Sequence, residues 1–158
     1  MINSDENIYH VTWTTFNSRV SERMKLYNIY SDKEWIFFDM EQEFQISLIL
    51  ESIVKELNLK ILAYNICKDH IHIVLFSNKS DLSLIISKLK WKATKLYKDK
   101  YDITDKINLW WQKFNYTIIE NKHQLLNTID YVKKNRIKHW LPTNDKLNTI
   151  NFCINVTK

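Results

Sequence analysis

The chain has 158 residues, 45% of them hydrophobic and 26% charged, with a formal net charge of +5. That length and balance fit one folded domain over residues 1–158 and exclude disordered, fibrous and membrane-spanning classes, while the positive surplus suits a polyanionic partner or simple solubility. Cys67 and Cys153 lie far apart without a CxxC pair, and the start Met1–Asn7 lacks the basic and apolar regions of a signal peptide, so a cytoplasmic protein with no membrane partner is expected.

Glycine is absent and Pro142 is the single proline. Left-handed backbone positions must therefore fall to Asn or Asp, the next most tolerant residues.

Residues 8–16 are rich in β-branched and aromatic types and predict a first strand. A polar stretch with Arg19, Arg23 and Lys25 follows. From Asp39 the pattern turns helical, with Ile46, Ile49, Leu50, Ile53 and Leu57 on one face and Gln42 placed to complete a capping box with Asp39. Residues 60–66 and 70–77 predict a strand pair joined at Lys68-Asp69. In the second of them both faces are apolar in part, which predicts a central strand.

Ser80 or Asp81 is placed to cap a helix with the stripe Leu82, Ile85, Ile86, Leu89, Ala93 and Leu96. Its other side carries Lys88, Lys92 and Lys95, a face that suits either a DNA backbone or solvent. Residues 114–120 predict a fourth strand, after Trp110-Trp111. Asn121 with Gln124 predicts a capped last helix running to about Lys138. The order β-α-β-β-α-β-α is α+β: a ferredoxin-like βαββαβ antiparallel sheet with an added C-terminal helix. The core spans about 8–141 and the tail about 142–158.

The most informative run is Asp69-His70-Ile71-His72-Ile73-Val74-Leu75-Phe76. Strand side chains alternate, so His70 and His72 share a face. Val74 stands where a nucleotide-hydrolase triad would need a third histidine, which removes that reading. Tyr131 and Asn135 lie four apart on the last helix and also share a face. If the helix crosses the strand, two imidazoles, an amide and a phenol converge. Such a group suits Mg2+ or Mn2+ beside a nucleophile, the chemistry of phosphodiester cleavage. Trp110, Trp111 and Tyr116 could stack unpaired bases, with at least one of the tryptophans expected in the core. Lys134 and Lys138 lie near enough to Tyr131 to touch a strand's phosphates.

With these motifs in place the chain resembles the single-tyrosine HUH transposases, and in particular the REP-associated tyrosine transposases. The stretch Tyr9-His10-Val11-Thr12-Trp13-Thr14-Thr15-Phe16-Asn17-Ser18-Arg19 resembles their first strand and the basic turn after it. Asp69–Leu75 resembles their HUH strand, and Leu109-Trp110-Trp111-Gln112 their tryptophan motif. Tyr131-Val132-Lys133-Lys134-Asn135-Arg136-Ile137-Lys138 resembles their tyrosine helix. The resemblance implies metal-dependent cleavage and rejoining of single-stranded DNA beside a hairpin, by a monomer or homodimer. It makes Tyr131 the nucleophile, His70, His72 and Asn135 the metal ligands, and Asn17, Ser18, Arg19 and Arg23 part of the DNA-binding surface. A domesticated relative that binds hairpins without chemistry is the alternative. Replication initiators and relaxases share the chemistry but are usually larger. Two departures stand out: Cys67-Lys68 replaces a common Met-Pro, and Asn135-Arg136 replaces a common Asn-Pro, so the last helix is free to run toward Trp140.

Overall fold

Alternation in the first strand decides the layering. The computed structural model describes residues 6–16, 22–28, 36–106 and 108–154. Within β1 (Asn7–Thr14) the side chains of Tyr9, Val11 and Trp13 are buried on one face, which leaves Ile8, His10 and Thr12 on the other. The elements that follow are α1 (Glu22–Leu26), α2 (Met40–Glu56), β2 (Ile61–Cys67), β3 (His70–Ser77), α3 (Lys79–Lys100), β4 (Asn115–Ile119), α4 (Lys122–Lys133), α5 (Asn135–Lys138) and a 3-10 turn at Asp145–Thr149.

The strands form one antiparallel sheet in the order β2-β3-β1-β4. β2 neighbours β3, and β1 separates β3 from β4, as interleaved split βαβ units require. The central position expected for β3 is observed: seven of its eight residues are buried.

Each face of the sheet carries its own apolar layer. On one, Tyr9, Val11, Trp13, Ile71, Ile73 and Leu75 meet Ile46, Leu50 and Ile53 of α2 and Leu82, Ile86, Leu89 and Ala93 of α3. On the other, Leu62, Ala63, Val74 and Ile119 meet Leu125, Ile129 and Val132 of α4. Each fully buried aliphatic side chain contributes about 1.5–3 kcal/mol, so the two layers fix the helices in place.

Local chemistry sets the helix ends. Asp39 and Gln42 form the expected reciprocal capping box, at 2.8 and 3.0 Å. α3 begins earlier than its cap candidates Ser80 and Asp81: Asn78 is the cap residue, and Tyr97 rather than Leu96 continues the buried stripe. Asn121 caps α4 through Gln124 N–H, while the Gln124 side chain bonds the Glu120 rather than the Asn121 N–H. Among the described residues the left-handed positions are Asn28, Asn58, Asp102 and Trp140. Three follow the expectation for a chain without glycine; the tryptophan does not.

The final segment returns to the sheet. Ile154 N–H donates to the Ile61 carbonyl at 2.7 Å, and Phe152 is buried with its ring centroid 4.9 Å from that of Tyr64. Residues 142–154 thus close the outer edge of β2. No helix among the described residues is long and apolar enough to cross a membrane.

Candidate functional site

Strand register gathers the polar side chains of the α4 face. His72 pairs with Thr12 on one side and Asn65 on the other, and His70 pairs with Thr14 and Cys67. His70 and His72 therefore project together beneath α4, with ring centroids 5.1 Å apart and planes at 84°.

Both rings are oriented by neighbours. His70 Nδ1 lies 2.6 Å from Asp69 Oδ1, and its Nε2 lies 2.9 Å from Asn135 Oδ1. A ring nitrogen bonded to a carboxylate directs the other nitrogen outward as a ligand. His72 Nδ1 lies 2.9 Å from His10 Nε2 and 3.0 Å from Thr12 Oγ1. A cation bound to His72 would therefore take Nε2. His10 stacks on His72 at 5.1 Å, and burial lowers its pKa, so the ring is uncharged at neutral pH.

The last helix is interrupted just before Asn135. The helix expected to run to about Lys138 is split: α4 ends at Lys133, and α5 begins at Asn135 after the single residue Lys134. Asn65 Nδ2 donates to the carbonyls of Val132 at 2.8 Å and Lys133 at 3.3 Å, accepting the helix end from the sheet. Asn135 is then fully buried, its Oδ1 receiving Cys67 Sγ–H at 3.2 Å, and its Nδ2 is buried without a partner. Arg136 crosses β2 to Glu43 of α2 at 2.7 Å and to the Ile66 carbonyl at 3.1 Å. This ion pair pins α5 against the sheet edge.

Tyr131 stands over His72 and His10. Its ring centroid lies 5.5 Å from His72 and 6.0 Å from His10, edge to face in each case. The Lys138 ammonium sits 4.6 Å from the same ring. Beside it an open groove of about 550 Å³ runs along α4, lined by His10, Asn121, His123, Asn127, Thr128 and Tyr131 among others.

The donor set fits a divalent cation. His70 Nε2 and Asn135 Oδ1 lie 2.9 Å apart, so the ring N–H donates to the amide oxygen or, once deprotonated, both atoms would be free to ligate one cation. Burial pulls the His70 imidazolium down, but Asp69, Cys67 and Asn135 outweigh it and raise its pKa to about 9. Among the described residues no three His, Cys, Asp or Glu side chains could hold a metal; the third donor here is an amide, the type that sequence reading assigned to Asn135.

Other predicted residues fall elsewhere. Asn17, Ser18 and Arg19 lie outside the described residues, and Arg23 is exposed in α1. Lys88, Lys92 and Lys95 belong to α3, whose core lies on the opposite sheet face; Lys92 pairs with Glu56, and the Lys95 ammonium lies 5.6 Å from the Trp91 ring centroid. Trp110 is the tryptophan of the pair that lies in the core, as expected of at least one of them: it is 6% exposed and packs on Trp13 and Phe38, with a strand bridge to Thr15. Trp111 is half-buried against Phe16. Lys134 pairs with Asp130 at 2.9 Å.

His10, Thr12, Asn65, Asp69 and Cys67 support the site and were not singled out as functional from sequence. The signal for His10 and Thr12 was present once strand pairing is known. With Tyr9, Val11 and Trp13 in the core, His10 and Thr12 share the face of His70 and His72.

Sheet-borne histidines under a helix-borne tyrosine and amide define the class: an α+β protein with a composite polar site between sheet and C-terminal helix. Residues 5–135 match the family described as IS200-like transposases, and the chain belongs to that family. That span includes all four converging residues. No curated protein sequence matches the chain. Two solved structures share its fold at 16% identity. One is a REP-associated tyrosine transposase bound to a REP hairpin, with a TM-score of 0.52 over 84% of this chain and 68% of that one. The other is a candidate transposase from Deinococcus radiodurans R1, with a TM-score of 0.51 over 82% of this chain and 90% of that one.

Proposed function

We propose that this transposase recognises a DNA hairpin, cleaves single-stranded DNA beside it through a 5′-phosphotyrosine, and rejoins strands. The observation that carries the reading is the convergence of Tyr131, His72, His70 and Asn135 on one side of the sheet. The Tyr131 ring is 37% exposed and borders the groove along α4, so a strand in that groove has access to the phenol.

In the proposed step Tyr131 Oη bonds to phosphorus and the bond to the 3′ oxygen breaks. The phenolic proton is lost to solvent, and the departing oxygen takes one up as a 3′-hydroxyl. A second 3′-hydroxyl then attacks the phosphotyrosine, restoring the phenol and joining the new ends, so the phosphodiester is conserved. Lys138, against the Tyr131 ring, places a cation beside the phosphate under attack. His70, His72 and Asn135 would hold Mg2+ or Mn2+, which when bound polarises a phosphoryl oxygen. Asp69 and Cys67 orient the first and third of these, and His10 with Thr12 the second.

The likeness to a structure bound to a REP hairpin supports a hairpin as the partner. The test is cleavage of an end-labelled oligonucleotide that carries a hairpin and a single-stranded flank. Product is expected with Mn2+ or Mg2+ and is expected to vanish with chelator. Binding without cleavage at any metal concentration would favour the domesticated, non-catalytic alternative.

A further inference from the structure

Trp140 ends α5 in a backbone conformation that its side chain opposes. Its φ is 55°. Leu141 N–H bonds the Arg136 carbonyl and Trp140 N–H bonds the Ile137 carbonyl, each at 3.0 Å, the paired closure whose left-handed residue is usually glycine. The chain fills its other described left-handed positions with Asn and Asp, which tolerate that geometry. Tryptophan does so at a cost, and burial does not offset it, since 94% of the residue's surface is in solvent. Strain retained at an exposed position points to a role outside the fold.

The position suggests the role. The two residues before Trp140 both reach site residues: Lys138 lies over the Tyr131 ring, and His139 packs its ring 4.9 Å from that of His70. Ile137, in the same turn, is 70% exposed, and Lys138, two residues before Trp140, is exposed, as is Lys133 at the end of α4. An aromatic face among cations at the rim of such a site matches the way proteins hold unpaired nucleic acid, with bases on rings and phosphates on ammonium groups.

We propose that Trp140 is a stacking site for an unpaired nucleobase of the strand that Tyr131 attacks, an assignment that rests on the single-strand reading above. A second copy of the chain is the weaker occupant. A twofold contact would set the cations of one copy against those of the other. One tryptophan also buries roughly 250 Å² at most, against about 800 Å² per partner in a stable interface.

The test compares fluorescein-labelled oligothymidine of about 20 nucleotides with an abasic oligomer of equal length, in metal-free buffer, by anisotropy. Trp140→Ala and Trp140→Gly should each weaken oligothymidine binding roughly tenfold and leave the abasic oligomer unchanged, while Trp140→Phe keeps most of the affinity. Trp140→Gly should also melt higher than the native chain, because glycine removes the left-handed strain. Unchanged oligothymidine affinity in Trp140→Ala overturns the proposal and leaves the transposase reading intact. So does a lower melting temperature in Trp140→Gly, or a shift from dimer to monomer on sedimentation of Trp140→Ala. If the native chain binds neither oligomer at low salt, the single-strand reading falls with it.

Discussion

Asn65, at the centre of β2, donates its amide to the last two carbonyls of α4, 2.8 Å from Val132 and 3.3 Å from Lys133. A helix end leaves its last acceptors short of the usual donors four residues on, and here the Lys134 N–H and the Asn65 amide share the Val132 carbonyl. The sheet takes over where the helix stops, and the next turn places Asn135 against His70. Asn65 is thus the hinge pin between the histidine strand and the tyrosine helix.

Asn65→Leu should remove both side-chain bonds to the end of α4 and lower stability by about 1–3 kcal/mol. Urea denaturation followed by circular dichroism measures the loss. Cleavage should fall further than stability explains, since Asn135 would no longer be held beside His70. Equal loss in both measurements would assign Asn65 to the fold alone.

Arg136 and Glu43 form a buried pair, with side chains 11% and 3% exposed. Glu43 also receives Asn144 Nδ2–H at 3.1 Å. Breaking such a pair leaves an uncompensated charge, so Glu43→Ala should destabilise the protein by roughly 3–5 kcal/mol. The double variant Glu43→Leu with Arg136→Met should recover much of that loss, because no buried charge remains. A double-mutant cycle in chemical denaturation checks both outcomes.

The pH dependence follows from His70. Its folded pKa is about 9 against an ordinary value of 6.5, so between those limits the folded state holds a proton that the unfolded state releases. Metal-free stability from this group is fully present below about pH 6.5 and is lost as pH rises toward 9. Mn2+ must displace the same proton, so its affinity should rise across the same window. Thermal melts at pH 6.5 and 9, with and without Mn2+, read both effects. A metal-free melting temperature that climbs over this range would contradict the assignment of His70.

Much of this arrangement was legible in the sequence because its signals are local. Period-two alternation marked β1 and β3, Asp39 and Gln42 marked the start of α2, and the His-x-His spacing put both imidazoles on one face. What escaped depends on contacts between distant segments. His10 meets His72 across 62 residues, Asn65 meets Val132 across 67, and Arg136 meets Glu43 across 93. Nothing in a short window announces such bonds. The helix break at Lys134 has the same origin, since the pattern allowed a continuous helix and the bonds from Asn65 and Arg136 prevail over it. Trp110 shows the converse: an aromatic in an irregular segment has no period by which to tell core from surface.

Peptide mapping of the covalent adduct is the most direct test of the proposed chemistry. The protein is incubated with Mn2+ and a labelled hairpin oligonucleotide, digested, and analysed by mass spectrometry. The account predicts a nucleotide 5′-phosphate on the tryptic peptide containing Tyr131, and no adduct from Tyr131→Phe although that variant still binds the hairpin. An adduct on another residue, or one that persists in Tyr131→Phe, would contradict it.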